Sequence, residues 1–142
     1  MGRANEVAST PPRLDGARVL VVEDDFFIGL ELAGILSDAG AEVVGPMQTV
    51  QAALAVADDR TLSAAVLDIR IGKDTVEPVA RRLSEHEVPF LFYTGQSRSD
   101  PIRTIWPGCK VLAKPALPIS LLIAVAGLMS KSRRELRSAE RS

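Results

Sequence analysis

Four polar groups in this sequence each stand at the end of a short apolar run: Glu23-Asp24-Asp25 after residues 17–22, Asp68 after 64–67, Thr94 after 89–93 and Lys114 after 111–113. If those runs are neighbouring strands, the carboxylates meet, repel one another and call for a divalent cation. Oxygen ligands with no His or Cys among them favour Mg2+ over zinc. A hydroxyl on Thr94 and an ammonium on Lys114, facing the same point, offer a hydrogen-bond donor and a positive charge, which phosphoryl oxygens require. Taken singly, an acidic run is a solvated loop and a lysine a surface charge. The convergence of four strand ends is what argues for a site.

The elements that must position these groups alternate in type. Residues 17–22 (ARVLVV) are a continuous, β-branched run suited to a strand buried on both faces. Helical period follows over 25–39, where Ile28, Leu32, Ile35 and Ala39 share a face and Gly40 takes the position just past the end. Further strands are expected at 42–44, 64–67, 89–93 and 111–113, and further helices at 50–57, 76–83 and 118 to about 131. Such alternation specifies an α/β fold with a parallel sheet and helices on both faces, in which functional groups gather at the C-terminal strand ends. Between 95 and 110 stand Pro101, Pro107 and two glycines, so a fourth helix there is expected to be short, distorted or absent.

A chain of 142 residues is one domain's worth, with 46% apolar and 25% charged residues, enough to bury a core without staples. Its single cysteine, Cys109, excludes an internal disulfide and reads as a structural thiol in a reducing compartment. Residues 1–16 lack a signal-peptide core and read as a flexible leader. The longest apolar stretch, 117–129, is interrupted by Pro118, Ser120 and Gly127 and falls short of the roughly 20 residues that span a bilayer. A cytoplasmic location without membrane contact is expected. Residues 131–142 carry five basic side chains against two acidic ones and form either a basic tail or an extension of the last helix. Such a tail can touch phosphates, but a frayed helix end is the plainer reading.

The ordered set Val-Leu-Val-Val-Glu-Asp-Asp at 19–25, Val-Leu-Asp at 66–68, Tyr-Thr-Gly at 93–95 and Lys-Pro at 114–115 resembles the CheY-like receiver domain of bacterial response regulators. The resemblance covers about residues 17–130. It implies a flavodoxin-like five-stranded sheet of order 2-1-3-4-5, and a stand-alone, Mg2+-dependent phosphoacceptor. By position, Asp68 would take the phosphoryl group from a phosphohistidine on a sensor histidine kinase or phosphotransfer protein. Glu23, Asp24, Asp68 and the backbone carbonyl of Arg70 would hold Mg2+. Thr94 and Lys114 would bind phosphoryl oxygens, and the Lys114–Pro115 bond would be cis. The chain would not be an enzyme beyond self-catalysed transfer and slow autodephosphorylation.

Three departures from that pattern stand out. Ile71-Gly72-Lys73-Asp74 replaces the usual proline-bearing loop after the acceptor. The fourth strand ends Phe-Tyr-Thr-Gly-Gln, resembling the Phe-x-Thr-Gly type of alphaproteobacterial single-domain receivers. Val111 stands where the family commonly has an aromatic switch, so the signal is expected to leave by the loop after Thr94 instead. Arg70 and Gln96, two residues beyond Asp68 and Thr94, are positions that could set phosphoryl lifetime. Arg70 could shield the acyl phosphate or simply sit in solvent.

Phe26, Leu30 and Ala33 form a second apolar stripe on the first helix, suited to kinase docking or a homodimer, or else covered by the leader or the last helix. His86 reads as a surface residue, and Trp106 as a side chain packed down from the irregular loop. With no room for a DNA-binding or enzymatic output domain after residue 130, output is expected through a downstream protein partner. Three alternatives remain: a phosphate sink or phosphorelay intermediate, a docking module indifferent to phosphate, and a hydrolase with an aspartyl-phosphate intermediate. Arg70 argues against the last, because such hydrolases place an acid two residues after the nucleophile.

Overall fold

The computed structural model describes residues 10–95 and 100–141, with side chains of the last helix described through residue 131. Five parallel strands form the sheet: β1 (Arg18–Val22), β2 (Glu42–Met47), β3 (Ala64–Leu67), β4 (Phe90–Thr94) and β5 (Val111–Ala113). Their order is β2-β1-β3-β4-β5, so β1 and β3 lie adjacent at the point where the winding reverses. Leu20 pairs with both Val44 and Ala65, and Val66 with Leu91, which brings the C-terminal ends of β1, β3 and β4 to one edge.

Alternation along each buried strand divides the core in two. Leu20, Val22, Ala65, Leu67, Phe90 and Phe92 face one side, where they pack with Ala53, Val79, Ala80 and Leu83. These come from α2 (Val50–Val56) and α3 (Glu77–Glu85), and Ile102 of α4 (Ile102–Ile105) joins them. Val19, Val21, Ala64, Val66, Leu91 and Tyr93 face the other side and meet α1 (Phe26–Asp38) and α5 (Pro118–Arg141). The chain is doubly wound.

Local chemistry sets the helix starts. The Asp25 side chain accepts from Ile28 N at 3.0 Å and caps α1, while Thr49 Oγ1 does the same for α2 through Ala52 N, also at 3.0 Å. Among the described residues, cis peptide bonds precede proline at Gly45–Pro46 and at the expected Lys114–Pro115.

Several boundaries differ from the sequence expectation. β2 extends past Val44 through Gly45-Pro46 to Met47, because an irregularity after Leu20 lets Val22 pair with Met47. On α1 the buried positions are Gly29, Leu32 and Leu36, whereas Ile28 and Ile35 are only partly buried. The last helix continues past 131 to Arg141, which is the helix extension and not the separate tail among the two expectations. Arg70–Ile71 and Asp74–Thr75 form a two-residue antiparallel hairpin that periodicity could not reveal. α4 is a single turn, as the prolines on either side require.

Residues 1–9 of the expected leader, with Gln96 and the tail side chains, lie outside the described residues. The inner end of the leader is tied down. Leu14 is buried in the second core, its N–H donates to Ala39 O at 2.7 Å, and Arg13 reaches Asp38 O at 3.0 Å. Among the described residues, no helix is long and apolar enough to cross a membrane.

Candidate phosphoacceptor and metal site

The end of β1 delivers three consecutive acids to three different tasks. Glu23 turns inward and is 1% exposed. Asp24 reaches the hairpin, where Gly72 N donates to its Oδ2 at 2.9 Å, and Asp25 caps α1. Gly72 has φ of +61°, a conformation glycine adopts without strain, which lets the tight hairpin present its N–H to Asp24. Across the strand junction Asp68 stands at the end of β3, mostly buried. Glu23, Asp24 and Asp68 each offer a carboxylate oxygen, and these lie within 4.8 Å of one another. That set is capable of coordinating a divalent cation.

Lys114 enters from the end of β5. Its Nζ donates to Asp68 Oδ2 at 2.7 Å and lies 2.5 Å from Glu23 Oε1. Glu23 Oε1 is a buried oxygen, and this ammonium is its close charged neighbour. Three carboxylates around one ammonium leave negative charge uncompensated, and hard oxygen donors suit Mg2+. The donor set therefore fits the expected ion.

Electrostatics follow from burial. Loss of water lifts the Glu23 carboxyl from its ordinary 4.5 up to about 7, and the Lys114 ammonium only partly opposes this; the Asp68 carboxyl reinforces it. For Lys114 burial works against the charge, but its contacts with Asp68 and Glu23 outweigh burial and raise its pKa. Thr94, at the end of β4 and 3% exposed, is fixed next to this group because its carbonyl accepts from Lys114 N at 3.1 Å.

Arg70 is held elsewhere. Its side chain, half exposed, pairs with Asp100 at 3.2 Å, so it spans from the hairpin to the start of α4 rather than standing free in solvent. Sequence reasoning missed this partner because residue 100 lay in a stretch with no periodicity. It also gave no role to Tyr93, whose ring and hydroxyl both contact the segment carrying Lys114.

Other residues singled out from sequence sit away from the site. Trp106 packs edge-to-face on Phe90 at 5.8 Å and donates to Ser84 Oγ at 3.1 Å, so the loop before β5 is anchored to α3. His86 faces Asp58 at 2.8 Å near the ends of α3 and α2. The Cys109 thiol donates to Phe90 O at 3.3 Å, and burial pushes its pKa up to about 11, as befits a structural cysteine. Phe26 and Leu30 remain 56% and 49% exposed, and neighbouring Phe27 reaches 79%.

No family model and no curated protein matches the sequence. Solved structures do match in three dimensions. A response regulator receiver protein from Sinorhizobium medicae WSM419 aligns with TM-score 0.74 at 23% identity, covering 84% of this chain and 98% of that one. The signal receiver domain of a modulated diguanylate cyclase from Desulfovibrio desulfuricans G20 gives 0.75 at 26% identity over 85% and 99%. The non-phosphorylated HemR receiver domain from Leptospira biflexa gives 0.70 at 26% identity over 80% and 94%. This chain has the CheY-like receiver fold. The strand order accords with the one expected from sequence, and Glu23, Asp24, Asp68 and Lys114 lie together at the strand ends. Val111, a valine and not an aromatic, is half-buried against the first core.

Proposed function

We propose that this receiver is a phosphorylation switch, in which Asp68 accepts a phosphoryl group from a phosphohistidine on a sensor histidine kinase or phosphotransfer protein. The observation that carries the reading is the Lys114 Nζ contact with Asp68 Oδ2 at 2.7 Å, inside a cluster of three carboxylates at the strand ends. A carboxylate oxygen of Asp68 forms the new O–P bond as the P–N bond breaks, and the electron pair leaves with the imidazole nitrogen. Mg2+ held by Glu23, Asp24, Asp68 and the Arg70 carbonyl would neutralise charge on the transferring oxygens. Lys114 supplies a fixed ammonium beside the acceptor, and Thr94 a hydroxyl donor. The step is stoichiometric rather than a turnover, and output passes to a downstream protein by contact.

The test offers acetyl phosphate or a cognate kinase with Mg2+ to wild type and to Asp68→Ala. Labelling of wild type alone supports the reading. Labelling that persists in Asp68→Ala removes it.

A further inference from the structure

Tyr93 lies one residue before Thr94 on β4, and strand alternation turns its side chain to the opposite face, toward α5. It is 5% exposed. There it meets the segment that carries Lys114 across from β5 to α5. The Tyr93 hydroxyl oxygen accepts from Ala116 N at 3.2 Å. The Lys114 ammonium lies 5.6 Å from the centroid of the Tyr93 ring, within the range where a ring face attracts a cation. Pro115 has no N–H, so Ala116 carries the first main-chain donor after Lys114. One further bond, Lys114 N to Thr94 O at 3.1 Å, completes the attachment. Two adjacent residues of β4 thus hold the main chain on both sides of the Lys114 side chain, and one of them also faces its charge.

We propose that Tyr93 is a positioning residue for phosphoryl binding: its hydroxyl fixes the backbone after Lys114 and its ring confines the ammonium to the side of the site occupied by Asp68. This rests on the phosphoacceptor reading, and deepens it by assigning a residue that acts through Lys114. Lysine is a long, flexible side chain, and orienting it requires either a partner for its charge or a fixed base. Asp68 and Glu23 supply the first; Tyr93 supplies the second. The Tyr93 hydroxyl bonds to the main chain at Ala116 and not to the carboxylates that would bind Mg2+. Loss of Tyr93 should therefore separate metal binding from phosphoryl binding.

The experiment titrates Mg2+ alone, then beryllofluoride (a phosphoryl mimic) at saturating Mg2+, against wild type, Tyr93→Phe, Tyr93→Leu and Asp68→Asn, with thermal melting alongside. Tyr93→Phe keeps the ring and loses the bond to Ala116, and beryllofluoride affinity should fall about fivefold. Tyr93→Leu loses the ring as well, and the fall should reach about tenfold or more. Affinity for Mg2+ alone should stay within about twofold in Tyr93→Phe, because the lost hydroxyl shares no partner with the metal ligands. Wild-type beryllofluoride affinity in Tyr93→Phe overturns the assignment, as does an equal loss of Mg2+ and beryllofluoride affinity in that variant. If Tyr93→Leu melts before measurement, Tyr93→Phe decides alone. Beryllofluoride bound normally by Asp68→Asn would overturn the phosphoacceptor reading itself. Binding lost in Asp68→Asn but unchanged in Tyr93→Phe would overturn only the role of Tyr93.

Discussion

Arg70 and Asp100 form an ion pair at 3.2 Å that joins the hairpin after β3 to the first turn of α4. The two ends are unequal: the Arg70 side chain is half exposed, whereas that of Asp100 is 8% exposed. Asp100 also organises its own surroundings, accepting from Ile102 N at 3.0 Å through the side chain and from Arg103 N at 3.1 Å through the carbonyl. Asp100→Ala removes both the pair and the side-chain acceptor for Ile102 N, and should therefore cost about 1–2 kcal/mol. Arg70→Ala should cost less than about 1 kcal/mol, because solvent screens a half-exposed pair. Urea unfolding of the two variants checks the ranking. Equal losses would mean that the ion pair, not the local turn, holds α4.

The buried Glu23 makes the metal-free protein sensitive to pH in a particular direction. Its pKa is raised from 4.5 to about 7 on folding, so the folded state binds a proton that the unfolded state releases. Stability from this group is fully present below about pH 4.5 and is lost as pH rises through about 7. The loss is bounded by roughly 3.5 kcal/mol, since each pH unit between the unfolded and folded pKa is worth about 1.4 kcal/mol. In chelator, wild type should thus unfold at lower urea at pH 8 than at pH 5. Glu23→Gln should flatten this slope, and Mg2+ should restore stability to wild type at pH 8, because a metal ligand must be deprotonated. A parallel pH slope in Glu23→Gln would mean that another group takes up the proton.

Two glycines of α1 should respond oppositely to alanine. A Cβ on Gly29 would stand 2.9 Å from Pro46 Cβ and 3.0 Å from its Cγ, and a proline ring cannot rotate aside. Overpacking of this kind costs about 1–3 kcal/mol, against about 1 kcal/mol gained in helix propensity. At Gly34 a Cβ meets nothing within 4 Å. Gly29→Ala should therefore destabilise by about 1 kcal/mol, and Gly34→Ala should stabilise by about 0.5–1 kcal/mol. Denaturant midpoints at unchanged slope would measure both. A stabilised Gly29→Ala would show that β2 yields at Pro46.

The sheet was legible because Val19, Val66 and Leu91 lie in unbroken apolar runs of strand length, and such runs have one economical arrangement between two helical layers. The candidate site was legible for a related reason: Glu23, Asp68, Thr94 and Lys114 each stop a run, so their positions follow once the strands are aligned. What escaped reading depends on contacts between segments without periodicity. The hairpin that places Gly72 under Asp24 is two residues wide on each side. Leu14 looked like part of a loose leader, since a single apolar residue after two prolines carries no pattern. Tyr93 read simply as a strand residue, and only the course of residues 114–116 past its ring gives it a further role.

Lys114 and Asp68 should differ in sign when each loses its charge. Lys114 is the cation on Glu23 and Asp68, and Lys114→Met leaves both carboxylates against an apolar neighbour. Breaking a buried pair by removing one partner costs about 3–5 kcal/mol, and proton uptake by Glu23 should reduce that cost at low pH. Asp68→Asn removes a negative charge from the same crowded cluster and relieves the repulsion that helps to raise the Glu23 pKa. In chelator at pH 8, Lys114→Met should be destabilised by about 3 kcal/mol. Asp68→Asn should equal or exceed wild type under the same conditions. Added Mg2+ should reverse the contrast, because it can replace the missing ammonium in Lys114→Met but loses a charged ligand in Asp68→Asn. Melting all three proteins with and without Mg2+ reads the pattern directly. The largest upward shift belongs to Lys114→Met and the smallest to Asp68→Asn; equal shifts in the two variants would mean that the ion binds outside this cluster.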